Sequence, residues 1–347
     1  MSRYDTNKLK AFCVQAMASA GLPEEESRRF AESLIGADMR GIRSHGVTRL
    51  KTYYLRLRDG LVDAKAMPEV VADLPALMIV DGRNAMGVTA ASHTMEECIH
   101  RARQTGCCFA SVRGGNHFGY AAYFTEMAAR EGMIGVAMCN AASAVAPYGG
   151  KTAQLGTNPL AVSIPGKDTI ALDLDMATSI VARGKVKLAA KEGWTIPAEW
   201  AVDADGRPTT DPNNVECMLP IGGYKGYGIG LVIEILSSCL SGADTSQNLG
   251  GFYDFSGTHQ NVGFFLGAMN IGGVADMTGF HERVDALIRA IKESPKAVDC
   301  DEILVAGEIE ARKAKAAAAE GIDIPPAVLR ELEEVSAFSG VPFQCEL

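Results

Sequence analysis

The stretch CCFASVRGGNHFGYAAYFTEMAAREGMIGVAMC, residues 107–139, decides the fold class. Cys107–Val112 is a short apolar run that stops at Gly114-Gly115 and reads as a buried strand. Ala121–Arg130 reads as a helix, and Met133–Cys139 as a second buried strand. Strand, helix and strand in this rhythm predict a layered α/β core. Upstream, Glu69–Asp73 and Ala76–Asp81 read as strands with a Pro-containing link. Thr89–Gln104 reads as a helix with Met95, Cys98, Ile99 and Ala102 on one face. Downstream, Leu160–Ile164, Thr169–Leu174 and Val262–Met269 add strands, and Ile180–Lys191 and Gly226–Leu240 read as helices. Residues 193–221 and 244–261 are polar and carry no clear period.

The ends of the chain read differently. Leu9, Phe12, Cys13 and Met17 share a helical face that Gly21 and Pro23 terminate. A second helix opens at Pro23 with Glu24–Glu26 in its first turn, where acids complement the helix dipole. It carries Phe30, Leu34 and Ile35 and breaks at Gly41. A third is predicted over about 45–58, through Val47, Leu50, Tyr54 and Leu57. Phe280–Lys292, the Ala-rich 308–320 and a short segment after Pro325-Pro326 are predicted helical as well.

Bulk properties narrow the function. The 347 residues allow a large core without disulfide or metal staples. A net charge of −9 with no long basic run argues against nucleic acid as a partner. No run reaches the roughly 18 apolar residues of a membrane span, and the first residues lack an apolar signal core. The nine cysteines are irregularly spaced without any C-x-x-C, which fits small buried hydrophobes in a reduced cytoplasm. No metal-ligand spacing is present, so no metal is expected.

The usual nucleotide signatures are missing. Gly226-Tyr-Gly228-Ile-Gly230 departs from G-x-G-x-x-G, and Gly150-Lys151-Thr152 lacks the first glycine of a P-loop. Other constellations carry more chemistry. In Arg43-Ser-His45-Gly-Val-Thr-Arg49, a helix starting there would put His45 and Arg49 on one face. A histidine can pass a proton to a carbonyl oxygen, an arginine can clamp a carboxylate, and Ser44 can orient the imidazole. The bland alternative is a capping serine beside surface charges. Gly114-Gly-Asn-His117-Phe-Gly119 joins a strand to a helix, where backbone N–H groups meet anions. His117 there is either a phosphate contact or a second acid/base group; the bland alternative is a glycine turn with a capping Asn116. Asp173-Leu-Asp175 ends a strand, which suits ribose hydroxyls or helix capping equally. Gly222-Gly-Tyr-Lys225-Gly226 precedes an apolar helix, where the dipole and an ammonium suit a phosphate, or glycines suit close packing.

Taken in order, Ser44-His-Gly-Val-Thr-Arg-Leu50, Gly115-Asn-His-Phe-Gly119, Gly156-Thr-Asn-Pro159, Asp175-Met-Ala-Thr-Ser179 with Ala182-Arg-Gly184, and Gly222-Gly-Tyr-Lys-Gly226 resemble one family. It is the malate/L-lactate dehydrogenase family of the second type, unrelated to the Rossmann enzymes of the same names. The family includes ureidoglycolate, sulfolactate and diketogulonate oxidoreductases and piperideine-carboxylate reductases. The resemblance covers about residues 5–335. It implies a non-Rossmann α/β fold with a mixed-sheet, three-layer core over 76–275. The helical segments 1–75 and 276–347 would pack together. It implies NAD or NADP bound extended, and a homodimer with the active site near the subunit contact; NAD is favoured, with NADP possible, because no arginine is clearly placed for a 2′-phosphate.

By the same resemblance, His45 is a proton donor or acceptor supported by Ser44, and His117 holds that role in some members. Arg49, Thr157 and Arg183 face the substrate. Cofactor contacts fall on His117, Phe118, Gly119, Asn140, Asp173, Asp175, Met176, Ala177, Thr178, Lys225, Gly307 and Glu308. Three stretches depart from the family pattern: Ala306-Gly-Glu308 for Pro-Gly-Glu, Val262-Gly-Phe-Phe265 for Gly-His-x-Phe, and Ala268-Met-Asn270 for Ala-Ile-Asp. The expected activity is hydride transfer between a nicotinamide and C2 of a small 2-hydroxy or 2-oxo acid. The rivals are a reductase of cyclic imino acids and a non-catalytic ligand-binding member of the fold.

Overall fold

The computed structural model describes residues 3–347; Met1 and Ser2, the start of the expected segment 1–75, lie outside the described residues. The first half runs β1 (Arg3–Tyr4), α1 (Thr6–Ser19), α2 (Glu24–Met39), α3 (Leu50–Arg58), β2 (Glu69–Leu74), β3 (Leu77–Asp81), α4 (Gly87–Thr105), β4 (Cys107–Gly115), α5 (Ala122–Arg130) and β5 (Met133–Cys139). Then come β6 (Leu160–Pro165), β7 (Ile170–Met176), α6 (Arg183–Glu192), β8 (Ala201–Val202), β9 (Cys217–Met218), α7 (Tyr224–Glu234) and β10 (Val262–Asn270). The chain closes with α8 (Met277–Lys292), α9 (Glu308–Glu320), β11 (Ile322–Asp323) and α10 (Pro326–Ser339).

One seven-stranded sheet, in the order β2-β3-β4-β10-β5-β6-β7, organises the core. Its β3–β4 pair is parallel and is bridged by α4; the other neighbours are antiparallel. The sheet is therefore mixed, as expected. Cys108, Ala110 and Val112 of β4 and Phe264, Leu266 and Ala268 of β10 are buried on the side of α4 and α5. Alternate residues point the other way, where the Ser111 hydroxyl donates to Leu236 O at 2.6 Å just beyond α7. Helices, sheet and the α7 region thus form three layers. The strand period of two delivers this separation of faces. Gly135 shows how close the packing is: a Cβ there would stand 2.3 Å from the Thr125 carbonyl oxygen of α5.

The two ends of the chain meet. β1 pairs antiparallel with β11, Arg3 opposite Asp323 and Tyr4 opposite Ile322. Phe12 and Phe343 meet edge to face at 5.1 Å, and α3 packs on α10. Contacts of α2 with α4 and α9 tie these helices to the sheet and to each other.

Several elements differ from the sequence reading. The third helix begins at Leu50, not about 45; two 3-10 turns, Arg43–His45 and Val47–Arg49, precede it. Their separation at Gly46 has a cause described below. The helix expected from Ile180 begins at Arg183, because Ile180 N–H is bonded to Leu219 O. The apolar helix Gly226–Leu240 is an α-helix only to Glu234 and ends in a π turn, Ile235–Cys239. Residues 193–221 hold the small β8–β9 pair. All nine cysteines are free and six are buried. Among the described residues no helix is long and apolar enough to cross a membrane.

Gly135→Ala should force α5 off the sheet and cost about 1–3 kcal/mol, the usual penalty of overpacking. A urea midpoint equal to that of the unsubstituted protein would show that the two layers can separate freely.

Candidate active site

The carboxylate of Asp38, late in α2, accepts the Val47 N–H at 2.7 Å. A Cβ at residue 46 would lie 2.0 Å from that carboxylate, so only glycine fits, in an extended conformation at φ −89. This breaks the helix expected over 45–49. His45 and Arg49 are nevertheless brought together by folding back: Arg49 Nε donates to Ser44 O at 2.6 Å. No other protein acceptor bonds the Arg49 guanidinium among the described residues. It lies over the rings of Tyr253 at 5.3 Å and Phe252 at 5.8 Å. Its two Nη groups remain free to grip a carboxylate from one edge.

Two cavities meet at this corner. An outer cleft of 530 Å³ and an inner chamber of 140 Å³ share His45, Gly119, Thr157 and Pro159 in their walls. His45 and His117 stack with ring centres 5.6 Å apart and planes 11° from parallel. The Ser44 hydroxyl is 2.9 Å from His45 Nδ1. His117 Nδ1 accepts the Tyr53 hydroxyl, and the Gly119 N–H at 3.4 Å. These donors assign the His117 proton to Nε2. Phe252 packs on the His117 ring at 4.7 Å. Burial, with the Arg49 charge second, pushes His45 down to about 4. Burial holds His117 well below its ordinary value, with His45 and Arg49 adding to the shift. Both imidazoles are therefore neutral at pH 7 in the ligand-free protein.

Most of the remaining expected site residues fall into two groups. Gly119, Thr157, Asp173, Asp175, Met176, Ala177, Arg183 and Gly307 line the outer cleft; His117, Phe118 and Asn140 line the inner chamber. Several have side chains already engaged. Asp173 bonds Arg40 at 2.6 Å and Ser163 at 2.6 Å, and Asp175 accepts the Ala122 N–H at 2.9 Å at the start of α5. Burial raises Asp175 to about 6. The Asn140 amide is consumed by Gly263 N–H at 2.9 Å, Asp244 O at 2.8 Å and Glu234. The Asn140 backbone is engaged too, the N–H donating to Gly263 O at 3.2 Å and the carbonyl accepting the Cys139 thiol at 2.9 Å.

Other expected contacts stand apart from the cavities. Thr178 is buried and bonds Thr157 O at 3.2 Å, while the Glu308 carboxylate pairs with Lys292. Lys225 is exposed at the start of α7. Tyr53, Phe252, Tyr253, Gln260 and Asp38 were not singled out in the sequence. Tyr53 stands four residues after Arg49, and the adjacent aromatics Phe252-Tyr253 interrupt a polar loop; both signals were available.

A dinucleotide fits this shape. The outer cleft continues into the chamber, and α6 opens onto the cleft through Ala182, Arg183 and Gly184 with no side-chain cap. Uncapped N–H groups and the Arg183 guanidinium suit a diphosphate. The malate/L-lactate dehydrogenase family model matches residues 4–333 of this chain. The chain belongs to the malate/L-lactate dehydrogenase family. It is a dehydrogenase of that family. It is 36% identical over 328 residues to the L-sulfolactate dehydrogenase of Methanocaldococcus jannaschii, covering 94% of each chain. It is 35% identical to the ureidoglycolate dehydrogenase (NAD(+)) of Escherichia coli O157:H7, covering 89% of this chain and 88% of the relative. The structure of malate dehydrogenase from Entamoeba histolytica superposes with a TM-score of 0.93 at 31% identity, covering 99% of each chain.

In this family member, His45 should stay neutral as pH falls until about 4 in ligand-free protein. Arg49→Ala removes a positive neighbour and should move that titration upward. Imidazole NMR shifts would show both; an unperturbed titration near pH 6.5 would overturn the buried, like-charged environment.

Proposed function

We propose that the protein interconverts a small 2-hydroxy acid and its 2-oxo acid, of the malate, lactate, sulfolactate or ureidoglycolate type. The observation that carries this reading is Arg49: a guanidinium with both Nη groups unbonded, placed over aromatic rings beside two stacked histidines. The substrate carboxylate pairs with it, which brings C2 and its oxygen beside the imidazoles. Thr157, shared by cleft and chamber, borders the same space. The chamber's Phe118, Leu249, Phe252 and Val262 favour a small acid and exclude water.

When bound, the nicotinamide dinucleotide supplies or accepts the hydride at C2. His45 moves the proton. Its Nδ1–H donates to the Ser44 hydroxyl oxygen in both the neutral and the charged ring, so Nε2 is the nitrogen that gains and loses the proton. In the oxidation direction neutral His45 takes the hydroxyl proton as C2 becomes a carbonyl. In reduction it returns that proton to the C2 oxygen. The substrate carboxylate offsets the Arg49 charge that depresses His45, so binding raises its affinity for the proton. His117, fixed as the Nε2–H form, donates a hydrogen bond to the same oxygen and stabilises its developing charge.

NAD is the preferred cofactor in this reading, with NADP possible. Glu310 in the outer cleft suits ribose hydroxyls better than a 2′-phosphate, and the carboxylates of Asp173 and Asp175 beside it, though bonded within the protein, add to the acidic wall. The assembly is a homodimer. Ile229 and Val232 of α7, with Ile235 and Leu240 in and after the π turn that follows, leave exposed apolar surface in one chain, and Lys225 lies at the start of α7. The free cysteines accord with a reducing cytoplasm.

NADH and NADPH oxidation against pyruvate, oxaloacetate, sulfopyruvate and a cyclic imino acid tests the reaction; turnover of the imine alone would reject it. Arg49→Ala should lower kcat/KM about 10²-fold, mostly through KM. His45→Gln should lower kcat by about 10²–10⁴-fold, with a smaller loss for His117→Gln. The reverse order would transfer the proton to His117. Val232→Lys should give a monomer by light scattering, and an unaltered dimer would move the interface elsewhere.

A further inference from the structure

One carboxylate stands behind the wall of the chamber without a cation. Glu234 lies on the inward face of α7 and is 4% exposed. Oε1 accepts the Ser246 N–H at 2.7 Å and Asn140 Nδ2 at 3.3 Å. Oε2 accepts Asn158 Nδ2 at 2.8 Å and the Ser246 hydroxyl at 2.6 Å. No lysine, arginine or histidine pairs with it among the described residues.

Each partner bonds onward to the backbone of another segment. Asn140 Oδ1 takes Gly263 N–H at 2.9 Å, and its amide donates to Asp244 O at 2.8 Å. Asn158 Oδ1 takes Ala141 N–H at 3.1 Å, and its amide also donates to Gly230 O at 3.0 Å. The Ser246 hydroxyl takes Gly156 N–H at 2.9 Å. Residues 140–142, 156–159 and 244–246 therefore converge on one side chain. Asn158 is fully buried at φ +28, a sparsely populated backbone state that persists only where surroundings impose it. Its neighbours Thr157 and Pro159 line both cavities, and Asn140, Ala141 and Ala142 line the chamber.

We propose that Glu234 is a positioning residue for the reaction: its carboxylate gathers the loops at 140–142, 156–159 and 244–246 and so sets the shape of the chamber beside His45 and His117. The proposal rests on the reading of that chamber as the reaction site. Its chemistry is specific. All four bonds run from donors to the carboxylate, and glutamine of equal size would turn an amide N–H₂ toward N–H or O–H groups in either orientation. Aspartate keeps two acceptors but is one carbon shorter. If Glu234 served only to pack α7 on the sheet, glutamine would be the better replacement; if it gathers donors, aspartate would be.

The test compares Glu234→Gln, Glu234→Asp and Ser246→Ala in the full-length protein. Binding of ADP-ribose, which lacks the nicotinamide, reports the outer cleft; kcat and KM for the 2-oxo acid report the chamber. Glu234→Gln should lose about tenfold or more in kcat and raise KM, as displaced reacting groups do, with ADP-ribose affinity retained. Glu234→Asp should recover part of that loss. Ser246→Ala, which removes one bond to Oε2 and the acceptor of Gly156 N–H, should show a smaller fall of the same kind, and it decides the matter if Glu234→Gln does not fold. Unchanged kcat in the folded variants, or Gln outperforming Asp, would overturn the proposal. Parallel loss of ADP-ribose binding would overturn it too, since the defect would not be confined to the chamber. Unsubstituted protein that binds neither ADP-ribose nor NADH would instead reject the dinucleotide site, and this role with it.

Discussion

The carboxylate of Asp38 occupies the volume that any side chain at residue 46 would require. Much of the site follows from that contact. Burial pushes Asp38 up to about 7, yet both its forms retain an oxygen that accepts the Val47 N–H. The chain is thereby pinned between two short turns instead of continuing as one helix. Ser44 and His45 fall on the first turn and Arg49 on the second, and the guanidinium closes the gap by bonding back to Ser44 O. A regular helix would have fixed the spacing of His45 and Arg49 by its pitch alone. The broken form lets the arginine lie across the aromatic loop 252–253 while the histidine stacks on His117, contacts made to parts of the chain about 70 and 200 residues away in sequence.

The sheet was readable because burial on alternating faces leaves a period, and β4, α5 and β5 carry it plainly. The site was readable as a set of motifs but not as an arrangement. Ser44, His45, Arg49, His117 and Thr157 do converge. Asp173 and Asp175, by contrast, sit where acids could meet a ribose, yet their side chains are directed to Arg40, Ser163 and the first turn of α5. Local sequence names the residue type and the strand end; it does not say which of two neighbours the carboxylate will choose. Lys225 illustrates the same limit. Its glycine-rich approach to a helix suggested an anion site, but the helix presents it to solvent.

Tyr53, Phe252 and Gln260 escaped for a different reason. Tyr53 and Phe252 left local signals, but the contact of all three with His117 crosses a long stretch of chain that no spacing rule reaches. The break at Gly46 depends likewise on a carboxylate from the preceding helix. The π turn after Glu234 leaves even less trace, because an apolar run reads alike whether its turns are α or π. These are the positions where tertiary contacts override local preference.

The joining of β1 to β11 governs the order in which the protein can be made. Arg3 finds its strand partner only at residue 323, and Arg43, inside the loop of Ser44, His45 and Arg49, pairs with the same Asp323. β10, which lies at the middle of the sheet, is itself the last of the seven strands to leave the ribosome. On a growing chain, β4 and β5 must therefore each wait with one edge unpaired for more than a hundred residues, and the helices at the amino end wait longer still. Such long-range closures slow folding and leave sheet edges open to wrong partners in the meantime. A nascent chain stopped short of β11 would carry every histidine and arginine of the site, but not the strand that seats the loop holding Ser44, His45 and Arg49.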